Sequence, residues 1–209
     1  MGYSLAVLNV CDVMACTRRH GLYRSRFTLR AQQMSQPASV SESPLQEQCA
    51  IDRRMVDGAH FKDAYRVSLS KDAPAVQVFQ AVFAHHPWWM KLALIVRNVL
   101  ASALGLATPS MAEVLRPTFA SDYAVCQRIG VWPIFAVSTT ELIVGRDNKH
   151  LDFRLSVLIH RVGAVPSATI STVCLAHNAF GRLYLLAVAP FHKFGLRRLL
   201  RSAVVDGRV

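Results

Sequence analysis

The sequence predicts an α+β fold, an antiparallel sheet with two helices after its first strand and a last helix packed on it. Three observations carry that expectation. A segment of strand period at 63–69 is followed by two stretches of helical period. Short alternating segments separated by turn residues then fill 134–189. A basic amphipathic segment closes the chain. An antiparallel meander flanked by helices excludes a doubly wound parallel sheet.

In Asp63–Leu69, Tyr65, Val67 and Leu69 alternate with Ala64, Arg66 and Ser68, the period of a strand. Asp72 is placed to cap the next segment, with Pro74 in its first turn, where a missing N–H costs nothing. Val76, Phe79, Val82 and Phe83 share one helical face, and Pro87 ends it. The stretch 88–104 reads as a second helix stopped by Gly105. Its core face is expected to be Trp88, Leu92, Ile95, Val96, Val99 and Ala103, with Lys91, Asn98 and Ser102 on the far side. Residues 107–128 show no period and read as a long loop.

Ile134–Val137 and Glu141–Val144 are short apolar strands, followed by a polar turn at Arg146–Lys149. His150–Arg161 alternates throughout: Leu151, Phe153, Leu155, Val157 and Ile159 on one face, His150, Asp152, Arg154, Ser156 and His160 on the other. Gly163–Ser167 turns the chain into a strand at Ala168–His177. Asn178–Gly181 turns it again, with Gly181 supplying a positive φ, into Arg182–Ala189. Pro190 opens a helix to about Ala203. Strand, helix, helix, meander, helix is the order of the helix-grip fold, in which a curved sheet grips the last helix around an apolar cavity.

Residues 1–55 lack sustained periodicity, and 35–48 is rich in Ser, Gln, Pro and Glu, too polar to offset its ordering entropy. The domain is expected to span 56–209, with 1–55 disordered or a mis-annotated extension and Met34 the true start. The 209 residues are 52% apolar and 18% charged, enough to bury a core. Of the net charge of +11, residues 1–33 carry +4 and the chain from Lys193 onward another +4. No basic stripe is interleaved with aromatics, which argues against nucleic acid. The five cysteines (11, 16, 49, 126 and 174) form no CxxC and read as free thiols of a cytoplasmic protein. The apolar stretch 88–106 contains Lys91 and Arg97, charges that oppose a membrane span.

The strings 63–67 (DAYRV), 128–133 (RIGVWP), 147–154 (DNKHLDFR), 177–184 (HNAFGRLY) and 190–192 (PFH), with Arg97-Asn98 between them, resemble the bacterial family named domain of unknown function 2867. The resemblance covers roughly 58–205. It implies a START-like, Bet v 1-like fold and a small apolar or lipid-like ligand. Cyclase or hydrolase chemistry is an alternative on that fold, and a separate Rossmann dehydrogenase-like protein, to which relatives are fused, is an expected partner class. No established activity comes with the family, and no Gly-rich dinucleotide motif is present.

The residues allow several sites. Asp152 and Arg154 are two apart on one strand and point the same way, toward either a ligand or solvent. His177, Asn178, Arg182 and Tyr184 cluster across the expected turn, as a general base with oxyanion donors or as ordinary turn chemistry. The catalytic candidates are His177, Asp152, Arg154 and Tyr184. Ligand contacts are expected from Arg97, Asn98, Asp152, Arg154, His177, Asn178, Arg182, Tyr184 and His192. His192 caps or bonds locally. His85-His86, adjacent on a helix, are a poor metal pair, and no metal or cofactor motif appears. Leu196, Leu199, Leu200 and Val204 would face lipid in a membrane-surface reading and the sheet in the helix-grip reading, which is preferred.

Overall fold

The computed structural model describes residues 40–45, 48–85, 87–88, 90–92, 95, 98, 123–161 and 165–209. All lie in the second of two compact units, Ala38–Val209. The proposed start at Met34, the extension 1–33, Arg97 and most of the expected loop at 107–128 lie outside the described residues.

The fold is α+β. Strands β1 (Val40–Glu42), β2 (Phe61–Ser68), β3 (Arg128–Ile129), β4 (Trp132–Val137), β5 (Glu141–Arg146), β6 (Leu151–His160) and β7 (Ser167–Ala176) form an open antiparallel sheet in the order β1-β2-β7-β6-β5-β4-β3. Helix α1 (Arg53–Asp57) precedes β2, α2 (Ala75–Phe83) follows it, and α3 (Ala179–Val205) closes the chain. Residues 88, 90–92, 95 and 98 are helical as well.

One sheet face carries the main core. Tyr65, Val67, Leu142, Val144, Leu155, Val157, Ala168 and Ile170 meet Val78, Phe79 and Val82 of α2 and Leu196, Leu199, Leu200 and Ala203 of α3, all buried. Among the described residues, these side chains pack the sheet directly against the two helices. The other face carries a smaller cluster, Ile51, Met55, Ile143 and Val173. The fold therefore begins before residue 56: β1 pairs with β2 in the register Val40↔Val67, and Met55 of α1 is buried.

Two other expectations are corrected. The strand at Arg182–Ala189 is helix: α3 starts at Ala179 and continues through Pro190. Asn178 is its N-cap, with Oδ1 accepting from the Gly181 N–H at 2.9 Å. Gly181 is helical, without a positive φ. It is needed because a Cβ there would lie 2.0 Å from the His150 carbonyl oxygen. Pro190 is tolerated because the Leu186 carbonyl it frees lies on an exposed turn. Three described residues of the expected second helix also depart from the face assigned to them: Trp88 (76%) and Leu92 (53%) are exposed, whereas Asn98 is buried.

Candidate functional site

The alternation of β6 sends Asp152, Arg154 and Ser156 to the face away from α3, beneath the segment 49–55. A cleft of about 410 Å³ opens there. Ile51, Met55, Ile143, Ala136 and Leu175 give it apolar walls, and Asp152, Arg154, Asp52 and Arg54 give it charge.

Arg154 is held in place. Its Nη1 donates to Asp147 Oδ1 at 2.5 Å and to the Phe153 carbonyl at 2.9 Å. The guanidinium lies over the Phe135 ring, 3.5 Å from the centroid. Two backbone features permit this. Gly145 lacks a Cβ that would stand 2.8 Å from Arg154 Cδ. A register shift between Ile134 and Ala136 inserts Phe135 as an extra residue and turns its ring onto this face. Among the described residues, the Nε and Nη2 donors of Arg154 carry no hydrogen bond.

Asp152 Oδ1 accepts from the Asn148 N–H at 3.1 Å, and Oδ2 lies 2.9 Å from His177 Nε2. The carboxylate thus fixes the imidazole by one nitrogen, leaving the ring partly exposed just outside the cleft lining. Both residues are among the catalytic candidates of the sequence, which did not pair them with each other.

The structure separates the remaining candidates from this group. Tyr184 and Arg182 belong to α3, whose core contacts are on the opposite face. Asn178 caps that helix, and its Nδ2 is 2.9 Å from His150 Nδ1. His192 does not bond locally: its Nε2 reaches Thr172 Oγ1 on β7 at 3.1 Å and faces Asp63 Oδ1 at 3.6 Å. Asn98 is buried and is not among the residues lining the cleft.

The family whose model matches is described as a protein of unknown function, DUF2867, over residues 55–199. The chain belongs to the DUF2867 family. No curated protein and no solved structure matches it. The DUF2867 match includes Asp152, Arg154 and His177 but leaves out Ile51 and Asp52, which close one side of the cleft.

Two buried polar clusters of this DUF2867 chain escaped sequence reasoning. Glu141 accepts from Ser156 Oγ at 2.6 Å and from the Ala50 N–H. Burial beside them pushes the Cys49 thiol up to about 11. On the α3 side, the buried Asp63 carboxylate and Tyr65 hydroxyl have no hydrogen-bond partner within 3.5 Å, and burial, then the Asp63 charge, raises Tyr65 to about 12. Asp63 had a legible signal, being a charge in register with Tyr65 and Val67 on an apolar face. Among the described residues, no three His, Cys, Asp or Glu side chains are grouped to hold a metal. No helix among them is long and apolar enough to cross a membrane.

Proposed function

We propose that this protein is a binding module for a small amphipathic molecule bearing an anionic or carbonyl group, seated in the cleft of Arg154. The observation that carries this reading is a rigid guanidinium with unused donors at the edge of an apolar-walled cleft of about 410 Å³, within the range of small-molecule sites. The donor fork suits a carboxylate or carbonyl oxygen, and Ile51, Met55 and Leu175 suit an apolar body. The strand–helix–meander–helix order supports placing the fold in the START-like helix-grip group. In this reading the ligand sits on the outer face of the sheet rather than under the last helix.

A second reading is favoured by the pair His177–Asp152. An aspartate that holds one imidazole nitrogen at 2.9 Å orients the ring as a general base, so a bound ester or activated C–H substrate would be deprotonated or hydrolysed there. Tyr184 has no part in this version.

Native mass spectrometry of the full chain, with solvent extraction of any passenger, tests the first reading. A stoichiometric amphipathic passenger is expected, lost in Ala136→Phe, which fills the cleft, and weakened in Arg154→Ala. An empty protein that also gains no thermal stability from a panel of medium-chain carboxylic acids would overturn it.

A further inference from the structure

Helix α3 is amphipathic in two directions. Leu185, Leu196, Leu199, Leu200 and Ala203 are buried on the sheet side. The side away from it carries large apolar residues at helical spacing: Leu183 (67% exposed), Leu186 (75%), Phe191 (77%) and Phe194 (64%). Helical periodicity continues this line through Arg198 and Arg201, both exposed. The outer line is therefore apolar along its first half and cationic along its second.

No Asp or Glu occurs between Ala179 and Val205, a stretch that also contains exposed Arg182 and Lys193. The turn bearing exposed Trp88 adjoins α3, since the Met90 methyl would stand 3.1 Å from a Cβ at Gly195. Single exposed apolar residues are ordinary. Two phenylalanines and two leucines exposed on one broad face of a helix that carries exposed cations and no acid are not. A second copy of this face brings no acidic residue of α3 to meet the cations, whereas an anionic lipid surface offers both an apolar phase and counter-charge.

We propose that this face of α3 docks peripherally on an anionic lipid surface, with Phe191, Phe194, Leu183 and Leu186 entering the headgroup–acyl boundary and Arg198 and Arg201 at the phosphates. The residues differ from those a membrane-surface reading of the sequence selects, because Leu196, Leu199 and Leu200 are committed to the core. The face is separate from the Arg154 cleft, so either proposal stands without the other.

The test is co-sedimentation of the full chain with vesicles of phosphatidylcholine alone and of phosphatidylcholine mixed with phosphatidylglycerol. Binding to the mixed vesicles only, weakened by added salt, is expected. The double variant Phe191→Ser/Phe194→Ser should bind about tenfold or more weakly, and Arg198→Glu/Arg201→Glu should lose the preference for anionic lipid. All four positions are exposed, so circular-dichroism melts should match wild type and separate lost docking from lost folding. No sedimentation with either vesicle, or unchanged binding by the phenylalanine variant, would overturn the proposal. So would a dimer that the same variant dissociates while neither form binds vesicles, since that assigns the face to a second copy.

Discussion

Both carboxylate oxygens of Glu141 accept the backbone N–H of Ala50, 91 residues earlier in the chain, at 3.1 Å. Oε1 also takes the Ser156 hydroxyl at 2.6 Å. This buried acid ties the segment before α1 to the sheet and thereby builds one wall of the Arg154 cleft.

Replacing Glu141 by Ala removes the acceptor of a buried hydroxyl and of the part-buried Ala50 N–H together. Hydrogen bonds to a charged group contribute about 1.5–3 kcal/mol each, so Glu141→Ala should lower unfolding free energy by about 3 kcal/mol. Limited proteolysis should then cut first between residues 45 and 57. Equal protection of that segment in both proteins would show that the tie is not needed.

Gly181→Ala should be costly although alanine favours helix. Its Cβ would meet the His150 carbonyl oxygen at 2.0 Å, so the start of α3 must move off the end of β6. A loss of about 3 kcal/mol is expected, read as a shifted urea midpoint. A stabilised Gly181→Ala would mean that this approach is loose.

His160 gives a signed pH dependence. Burial, and then the charge of Arg66, holds its imidazole below the ordinary value of 6.5. The unfolded chain therefore takes up this proton first on acidification. The contribution of His160 is whole above about pH 6.5 and declines as pH falls from there toward the folded value. His160→Gln, which keeps a polar partner for Thr169, should flatten that part of the stability profile. An unchanged slope would assign the titration elsewhere.

Among Cys49, Cys126 and Cys174, alkylation of the native protein should fall on Cys126. Burial raises the other two thiols to about 11 and about 12, while Cys126 is exposed. Peptide mapping after brief iodoacetamide treatment reads the order, and prior labelling of Cys174 would contradict it.

Much of the sheet was legible because period-2 alternation is dense in the central strands: His150–Arg161 against the observed Leu151–His160, and Ala168–His177 against Ser167–Ala176. The first half of α3 was not. Leu183, Leu185 and Leu186 form a short apolar run compatible with either period, and Pro190 read as a beginning rather than an exposed interior position. The informative feature was Asn178, whose side chain caps the N–H three residues on. The segment 40–57 escaped because a three-residue strand and a five-residue helix are too short to show a period. Its burial depends on Glu141, far along the sequence. The cleft was half legible: β6 alternation put Asp152 beside Arg154, but only the ladder Asp152↔Leu175 reveals that His177 arrives at the same place.

Strand β2 lies between β1 and β7, and its pairing Phe61↔Cys174 closes a loop of more than half the chain. During synthesis β2 must wait for β7, with one hydrogen-bonding edge open and Tyr65 and Val67 awaiting their partners. Such late, long-range closure makes folding slow and leaves the nascent chain prone to mispairing. A chain cut short before β7 is thus an aggregation hazard, and a chaperone that shields β2 until residue 176 emerges would raise the yield of native protein.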